Sequence, residues 1–189
     1  MIKKIVTIGP ESTGKSFLCE QLTAHYKTAW CPEYAREYLL KNGMNYTYDD
    51  LLKIAKGQLT LEEKVMSDLT AKISSGKNSN VIHHTPYFID TDMQVMKVWC
   101  EFVFGNCHRF ILDQIVERNY DLYLLCNIDL PWVKDELREY PDLASRQKLY
   151  SIYKDILVNQ AVPWVEISGQ QEERTHLATK AVNKIIAGE

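Results

Sequence analysis

One short segment near the N-terminus combines residue types that bind phosphate groups. Residues 9–16 form the string GPESTGKS, which fits the pattern of two glycines separated by four residues and followed by lysine and serine or threonine. Gly9 and Gly14 allow a turn tight enough for backbone amides to point at phosphate oxygens. Lys15 can reach the outer phosphates, Ser16 can ligate Mg²⁺, and the N-terminal end of the next helix attracts the anion. Because a chance match arises on the order of once in a hundred such chains or fewer, we predict a phosphate-binding loop rather than an ordinary glycine turn.

A carboxylate at the end of an apolar run would complete a magnesium site. Asp90 follows the apolar residues 87–89, which is how a strand presents a metal ligand at the edge of a nucleotide-binding sheet. Many strands that simply reach solvent also end in aspartate, so this interpretation depends on the phosphate-binding loop. We expect Ser16 and Asp90 to bind the metal, and Asp92 to contact a second substrate.

A second carboxylate follows another short apolar segment. Glu33 lies after residues 28–31, and Arg36 follows one helical turn later. The carboxylate could accept a proton from a hydroxyl group, and the arginine could keep it ionised or contact a phosphate. The alternative is an exposed glutamate that stabilises the start of a helix through the helix dipole.

A polar segment with two arginines follows the fourth apolar run. Residues 129–146 include Arg138 and Arg146, and phosphoryl transfer gains most from positioned cations and exclusion of water. We therefore predict a lid over the triphosphate. Without the phosphate-binding loop, solvated surface charge would be the better explanation.

Five short apolar segments alternate with helical patterns along the chain, and these segments must position the candidate residues. The predicted strands are residues 3–8, 28–31, 86–90, 120–126 and 164–168. Strands separated by helices predict a parallel sheet covered on both faces. Ligands of such sheets bind beyond the carboxyl ends of the strands. That is where Gly9, Glu33 and Asp90 are expected.

Composition excludes several classes of protein. The chain has 189 residues, which predicts one domain, and its net charge of −3 argues against a nucleic-acid partner. No apolar stretch is long enough for a membrane span, and the N-terminus is too short before its first glycine to be a signal peptide. Nothing in the sequence assigns an oligomeric state.

Cysteine and histidine usage indicates a reducing compartment and no metal cluster. The five cysteines are an odd number and lack paired zinc-ligand spacing, so we expect free thiols in a cytoplasmic protein. His83 and His84 are adjacent, but no carboxylate or cysteine stands near them at ligand spacing. We interpret them as residues at a strand edge.

The chain as a whole resembles the nicotinamide riboside kinases that form the C-terminal domain of NadR-type bacterial proteins. The resemblance rests on GPESTGKS, PEYAREYL, FIDTDMQVMKVWCEFVFG, YDLYLLCNIDLPWVKDELRE and EISGQQEER, in that order. Two features depart from the family. The chain begins at the first strand of the kinase, so the upstream adenylyltransferase domain is not expected. Glu136 follows Asp135, where the family often has glycine in the lid.

The resemblance implies a P-loop nucleoside kinase: an α/β fold with a five-stranded parallel sheet and a helical lid. It implies transfer of the γ-phosphate of ATP, with Mg²⁺, to the 5′-hydroxyl of nicotinamide riboside. Tyr34 and Trp99 are candidates to stack on its cationic ring, or they belong to the core. A kinase for another small molecule and a regulatory P-loop ATPase are the alternatives.

The residues and the resemblance together define three predicted sets. Those predicted to act in catalysis are Lys15, Glu33, Asp90 and Arg138. Those predicted to bind ATP are Gly9, Glu11, Ser12, Thr13, Gly14, Lys15, Ser16, Phe17, Arg138, Arg146 and Arg174. Those predicted to bind the nucleoside are Glu33, Tyr34, Arg36, Asp90, Asp92 and Trp99.

Overall fold

Five parallel strands form one sheet in the computed structural model, which describes residues 1–75 and 84–188. The spatial order of the strands is β2-β3-β1-β4-β5. Their bounds are β1 Ile2–Ile8, β2 Trp30–Cys31, β3 Thr85–Asp90, β4 Leu122–Cys126 and β5 Trp164–Ile167. Strands buried on both faces are nearly continuous apolar runs, which explains why the sequence predicted all five.

Seven helices in the described part of the chain surround the sheet. They are α1 Lys15–Tyr26, α2 Tyr34–Asn42, α3 Tyr48–Ser74, α4 Met93–Phe104, α5 Arg109–Glu117, α6 Leu143–Val158 and α7 Gln171–Ala187. Apolar residues of α1 and α7 pack on one face of the sheet, against Ile5, Phe88 and Leu124. Residues of α3, α4 and α6 pack on the other face, against Val6, Ile89 and Leu125. Alternate residues of each strand therefore supply two cores.

A third apolar cluster lies beside the sheet and is formed by helices alone. It joins α2, α3, α4 and α5 through buried residues that include Leu51, Ile54, Met96 and Ile111. Side-chain caps fix where two of the helices begin: Thr47 and Asp50 form a capping box at α3, and Asp92 accepts two backbone N–H bonds at α4. This helical layer holds the far wall of the cavity described below.

Two features differ from the prediction. The lid holds no helix until α6 begins at Leu143, since Pro131 and Pro141 interrupt it and its backbone N–H groups bond to the phosphate-binding loop instead. Helix α5 was not predicted, although Phe110, Ile111 and Ile115 have helical spacing.

The expectations about metal ligands and membrane spans can be compared with the structure for the described residues. The ring Nδ1 of His84 lies 2.9 Å from the carbonyl oxygen of Ile186, whereas His83 lies outside the described residues. Within residues 1–75 and 84–188, no group of three or more histidine, cysteine or acidic side chains could hold a metal. No helix in these ranges is long and apolar enough to cross a bilayer. All five cysteines are free thiols.

Candidate active site

Backbone geometry fixes the loop between β1 and α1. Gly9 has a φ of 143°, and a Cβ there would lie 2.7 Å from the carbonyl oxygen of Cys126. Gly14 has a φ of 78° and stands at the N-terminal cap of α1. The hydroxyl of Thr13 donates to the carbonyl of Pro10 at 2.7 Å and closes the turn. Glycine is required at both positions because side chains rarely adopt these angles and the first site has no room.

Two side chains of the loop point into the cavity in front of it. Lys15 Nζ donates to the carbonyl oxygens of Gly9 and Pro10 at 2.9 and 2.8 Å. The hydroxyl of Ser16 donates to Asp90 Oδ2 at 2.5 Å, so the register of β1 and β3 brings the two predicted metal ligands together. The ammonium group of Lys15 and the side-chain oxygens of Ser16 and Asp90 therefore converge at the carboxyl ends of the strands.

Asp90 fits a divalent cation. Its Oδ1 atom is buried and has no hydrogen-bond partner among the described residues. Burial, together with the nearby Glu33 carboxylate, raises the pKa of Asp90 to about 6. Mg²⁺ binds oxygen ligands through one or two protein groups plus substrate phosphates, and Ser16 and Asp90 supply such a pair.

Glu33 lines the same cavity as the loop and lies near Asp90. It stands at the N-cap of α2, where a carboxylate interacts favourably with the helix dipole, but its side chain makes no capping hydrogen bond. Instead the Thr91 hydroxyl lies 3.4 Å from Glu33 Oε1, as donor to it. Thr91 has a φ of 81°, an unusual angle for a β-branched residue that concentrates at functional sites. Sequence reasoning missed Thr91, since no pattern signals a strained threonine.

A single cavity of about 550 Å³ joins these groups. Its far wall is apolar and largely aromatic, and it is formed by Val95, Val98, Trp99, Phe102, Leu149 and Tyr153. Of the predicted site residues, thirteen line it: Gly9, Glu11, Ser12, Thr13, Gly14, Lys15, Ser16, Phe17, Glu33, Arg36, Asp90, Trp99 and Arg138. A cavity with phosphate-binding groups at one end and aromatic walls at the other suits a nucleoside beside a triphosphate.

The lid contacts both ends of the cavity. Glu11 Oε2 accepts the backbone N–H groups of Glu139 and Tyr140 at 2.9 and 3.3 Å, and Ser12 Oγ accepts that of Val133 at 2.9 Å. Burial raises the pKa of Glu11. These bonds fasten the lid to the phosphate-binding loop.

Two arginines complete the lid contacts. Arg138 Nη1 donates to the carbonyl of Val133 at 2.5 Å and lies 3.4 Å from Ser12 Oγ. On the far side, Arg36 forms two bonds to the carboxylate of Asp135, at 3.2 and 3.1 Å. Both arginines line the cavity.

Asp92 and Tyr34 do not line the cavity, which corrects two predicted substrate contacts. Asp92 is buried, its Oδ1 caps α4, and its Oδ2 accepts the hydroxyl of Tyr123 at 2.8 Å. Burial raises the pKa of Asp92 to about 6. The ring of Tyr34 packs on Gly57, where a Cβ would lie 2.0 Å from it.

Arg146 and Arg174 also lie outside the lining of the cavity. Backbone oxygens accept from Nη2 of Arg146, whose buried Nε has no partner among the described residues, and Arg174 bonds to backbone oxygens and to the Asp129 carboxylate. Arg146 Nη2 donates to the carbonyls of Ile128 and Leu130 at 3.4 and 3.2 Å. Arg174 is buried and bonds to the backbone of the loop at Thr13, to three further oxygens on Asn127, Asp129 and Gly169, and to no cavity surface. Both arginines support the backbone around the site, in place of the predicted ATP contacts.

A five-stranded parallel sheet that carries this loop and a strand-end aspartate defines a P-loop nucleotide-binding protein. A family profile described as an AAA domain matches residues 4–174. The chain belongs to that family.

Sequence comparison finds similar proteins with named activities. The trifunctional NAD biosynthesis/regulator protein NadR of Salmonella typhimurium is 26% identical over 192 aligned positions, which cover 100% of this chain and 43% of that protein. An adenylate kinase isoenzyme 6 homolog of Drosophila melanogaster is 25% identical over 181 positions, covering 94% of this chain and 88% of its own. The chain thus spans less than half the length of its NadR relatives.

Solved structures share the fold. NadR protein in complex with NR superimposes with a TM-score of 0.71 at 20% identity, over 98% of this chain and 50% of that one. A deoxyadenosine kinase from M. mycoides with bound dATP gives a TM-score of 0.56 at 11% identity, over 96% and 99% of the two chains. The fold is therefore that of the P-loop nucleoside kinases, as the family resemblance implied.

Proposed function

We propose that this chain is an ATP-dependent kinase that phosphorylates the 5′-hydroxyl of nicotinamide riboside to give nicotinamide mononucleotide. The observation that carries the proposal is the Glu33 carboxylate, which shares one cavity with Lys15, Ser16 and Asp90. Phosphorylation of a hydroxyl group requires a carboxylate that can accept the hydroxyl proton beside a phosphate-binding loop. The similarity to NadR over the whole chain supports nicotinamide riboside as the acceptor.

The donor end positions the phosphates. Backbone amides of the loop and the N-terminal end of α1 bind the phosphate oxygens, and Lys15 exchanges its two carbonyl partners for the outer phosphates. Ser16 and Asp90 would hold Mg²⁺, and the bound ion would neutralise charge on the donor phosphates. Arg138 adds positive charge from the lid, where the transferred group develops negative charge.

The acceptor end positions and activates the hydroxyl. Glu33 accepts a hydrogen bond from the 5′-hydroxyl and takes its proton as the new oxygen–phosphorus bond forms, while the bond from the γ-phosphorus to the bridging oxygen breaks and ADP leaves. The aromatic wall around Trp99 holds the base, and a cationic pyridinium ring gains about 0.5–2 kcal/mol from such contact. The lid excludes water, which would otherwise compete with the hydroxyl.

A nucleoside panel tests this proposal. Purified protein is incubated with ATP and Mg²⁺ and with nicotinamide riboside, adenosine, uridine or deoxycytidine, and ADP formation is measured. We expect nicotinamide riboside to give the highest kcat/KM. Preference for another nucleoside would replace the acceptor but keep the kinase, whereas phosphate release without any acceptor would indicate a regulatory ATPase.

The proposal extends to the organisation of the protein. Residues 1–189 act as one kinase domain in the cytoplasm, on a small-molecule nucleoside and without nucleic acid. The mild negative charge and the free thiols support this.

A further inference from the structure

A chain of three hydrogen bonds runs from the acceptor wall of the cavity to the phosphate-binding loop. Trp99 Nε1 donates to the hydroxyl of Tyr46 at 2.9 Å, and this hydroxyl donates to Glu139 Oε2 at 2.7 Å. The backbone N–H of the same Glu139 donates to Glu11 Oε2 at 2.9 Å. The lid residue Glu139 is therefore held from both ends of the cavity, although Tyr46 itself does not line it.

The hydrogen bonds of Tyr46 have only one possible direction. An indole N–H is only a donor and an ionised carboxylate is only an acceptor, so the hydroxyl must accept from Trp99 and donate to Glu139. Burial and the neighbouring carboxylate of Glu139 raise the pKa of Tyr46, so the hydroxyl keeps its proton. The Tyr46 ring also packs edge-on against Trp99, with centroids 5.0 Å apart. The indole is thus oriented both by packing and by the hydroxyl.

We propose that Tyr46 and Glu139 are positioning residues that couple nucleoside binding at Trp99 to ATP binding at the phosphate-binding loop. The inference rests on the proposed kinase function. A nucleoside bound at the aromatic wall holds the Trp99 indole in place. The indole then orients the Tyr46 hydroxyl, and this hydroxyl orients the Glu139 side chain. The lid segment that is hydrogen-bonded to Glu11 is then held over the donor phosphates.

The lid has few other ties to the acceptor side, which is why this one matters. Among the contacts of the described residues, the Arg36–Asp135 ion pair joins the lid to α2, and the Tyr140 ring of the lid packs edge-on against Phe102 of the aromatic wall, with centroids 5.1 Å apart. Glu11 and Ser12 join the lid to the loop. Transfer to a nucleoside rather than to water requires the lid to respond when both ligands are bound. Beside the Phe102–Tyr140 ring contact, Tyr46–Glu139 is the hydrogen-bonded link from Trp99 of the aromatic wall to the lid.

The experiment measures how strongly the two ligands affect each other. The affinity of nicotinamide riboside is determined by calorimetry with and without a non-hydrolysable ATP analogue and Mg²⁺. The proteins are wild type, Tyr46→Phe, Glu139→Ala and the double variant. Tyr38→Phe is the matched control, because it also removes a tyrosine–carboxylate hydrogen bond, of 2.7 Å to Asp50, but one away from the cavity and the lid.

We expect the ATP analogue to tighten nucleoside binding in wild type and in Tyr38→Phe, and this enhancement to fall by about tenfold in Tyr46→Phe, the order of effect for a hydrogen bond to a charged group. Glu139→Ala should give the same loss, and the double variant no further loss, because one chain of contacts is broken in each. Additive losses, an unchanged enhancement in Tyr46→Phe, or an equal loss in Tyr38→Phe would overturn the proposal.

A second measurement needs neither ligand nor turnover. The backbone N–H groups of Glu139 and Tyr140 donate hydrogen bonds to Glu11. Their hydrogen exchange should be faster in Tyr46→Phe than in wild type and in Tyr38→Phe. Equal exchange rates in Tyr46→Phe and wild type would overturn the coupling whatever the enzyme phosphorylates. Faster exchange in a protein that transfers no phosphate to any nucleoside would instead show that Tyr46 holds the lid, and would refute the kinase function together with the coupling to a nucleoside.

Discussion

The two ends of the cavity are built in different ways. At the donor end, the residues are consecutive in sequence, from Gly9 to Ser16, and a neighbouring strand adds Asp90. At the acceptor end, where the lid meets α2 and the aromatic wall and which we call the lid end, the contacts join side chains that are far apart in sequence. Arg36 and Asp135 are separated by 99 positions, and Tyr46 and Glu139 by 93.

This difference separates two tasks. The donor end takes its geometry from backbone angles and sheet register, so its charges are preorganised and each should contribute strongly to transfer. The lid end takes its geometry from exposed or half-buried side-chain pairs, of which the ion pair contributes little by itself. We therefore expect substitutions to reduce turnover sharply at the donor end, and to change substrate affinity modestly at the lid.

The largest effect is expected for Lys15→Ala. Loss of the cation that faces the reacting phosphates should lower kcat by about a thousandfold, the upper range for one electrostatic group. The variant also loses two bonds to loop carbonyls, so thermal unfolding must be measured alongside turnover. Lys64→Ala, at an exposed position on α3, is the control. Near-normal turnover in a folded Lys15→Ala protein would remove the loop from the mechanism.

Glu33→Gln should have the next largest effect. The amide keeps the size and hydrogen bonding of the side chain but cannot take the proton, and base catalysis typically contributes about a hundred- to ten-thousandfold. The loose transition state of phosphoryl transfer moves the proton late, so we expect a loss in kcat near the lower end, with the KM for ATP little changed.

Glu37→Gln, at an exposed position one turn further along α2, is the matched control for Glu33→Gln. Turnover of Glu33→Gln close to wild type would contradict the assignment of Glu33 as the base. Asp92→Asn is informative in the same assay, because Asp92 caps α4 instead of facing the cavity. Its loss of activity should follow its loss of thermal stability.

Local patterns made the sheet and the donor end predictable. The strands are apolar runs, and the loop motif specifies a backbone conformation within eight consecutive residues. The predicted residues at the lid end that line the cavity, Arg36, Trp99 and Arg138, were found by residue type and by the family resemblance, since their partners lie elsewhere in the chain.

The wrong predictions share one physical cause. Arg174 was expected to contact ATP, but its guanidinium bonds to Thr13, 161 positions away. Asp92 was expected to contact substrate, but the Tyr123 hydroxyl and its own helix start take its oxygens. A charged side chain reveals its chemistry in the sequence, whereas its partner is set by packing. Thr91 gave no signal at all, because its strained backbone has no sequence pattern.

The pH dependence of stability isolates the buried carboxylate of the donor end. In the folded protein the pKa of Asp90 is about 6, above its usual value of 3.8, so the folded state binds the proton more tightly than the unfolded state. The contribution of Asp90 to stability is therefore full below about pH 4 and is lost as the pH rises through about 6, by on the order of 3 kcal/mol. Asp90→Asn should lack this contribution.

Urea unfolding with chelator at pH 4.5, 5.5 and 7 measures this difference between wild type and Asp90→Asn. Asp90→Asn should gain stability relative to wild type as the pH rises. A difference between the two proteins that does not change with pH would contradict the raised pKa. Turnover of Asp90→Asn should also require more Mg²⁺ than that of wild type, because a metal ligand has been neutralised.

The smallest effect is expected for the ion pair of the lid. The Arg36 side chain is 52% exposed and that of Asp135 is 21% exposed, so the pair contributes about 0.5–1 kcal/mol at most. Arg36→Met keeps the apolar stem and should raise the KM for the nucleoside by about two- to fivefold, with kcat changed less. The Arg109–Asp113 pair of α5 is also exposed but lies outside the cavity, so Arg109→Met should leave both constants unchanged.

Salt separates this ion pair from direct contact between Arg36 and the substrate. Exposed pairs are screened at high ionic strength, so the KM of wild type should rise with salt toward that of Arg36→Met, and the KM of Arg36→Met should change little. If Arg36 instead binds the nucleoside through hydrogen bonds inside the closed cavity, which is screened less, the difference between the two proteins should persist at high salt. In that case the Tyr46–Glu139 hydrogen bond and Glu11 would position the lid. The contact of Arg36 with the nucleoside would then be a strong contact at the lid end of the cavity.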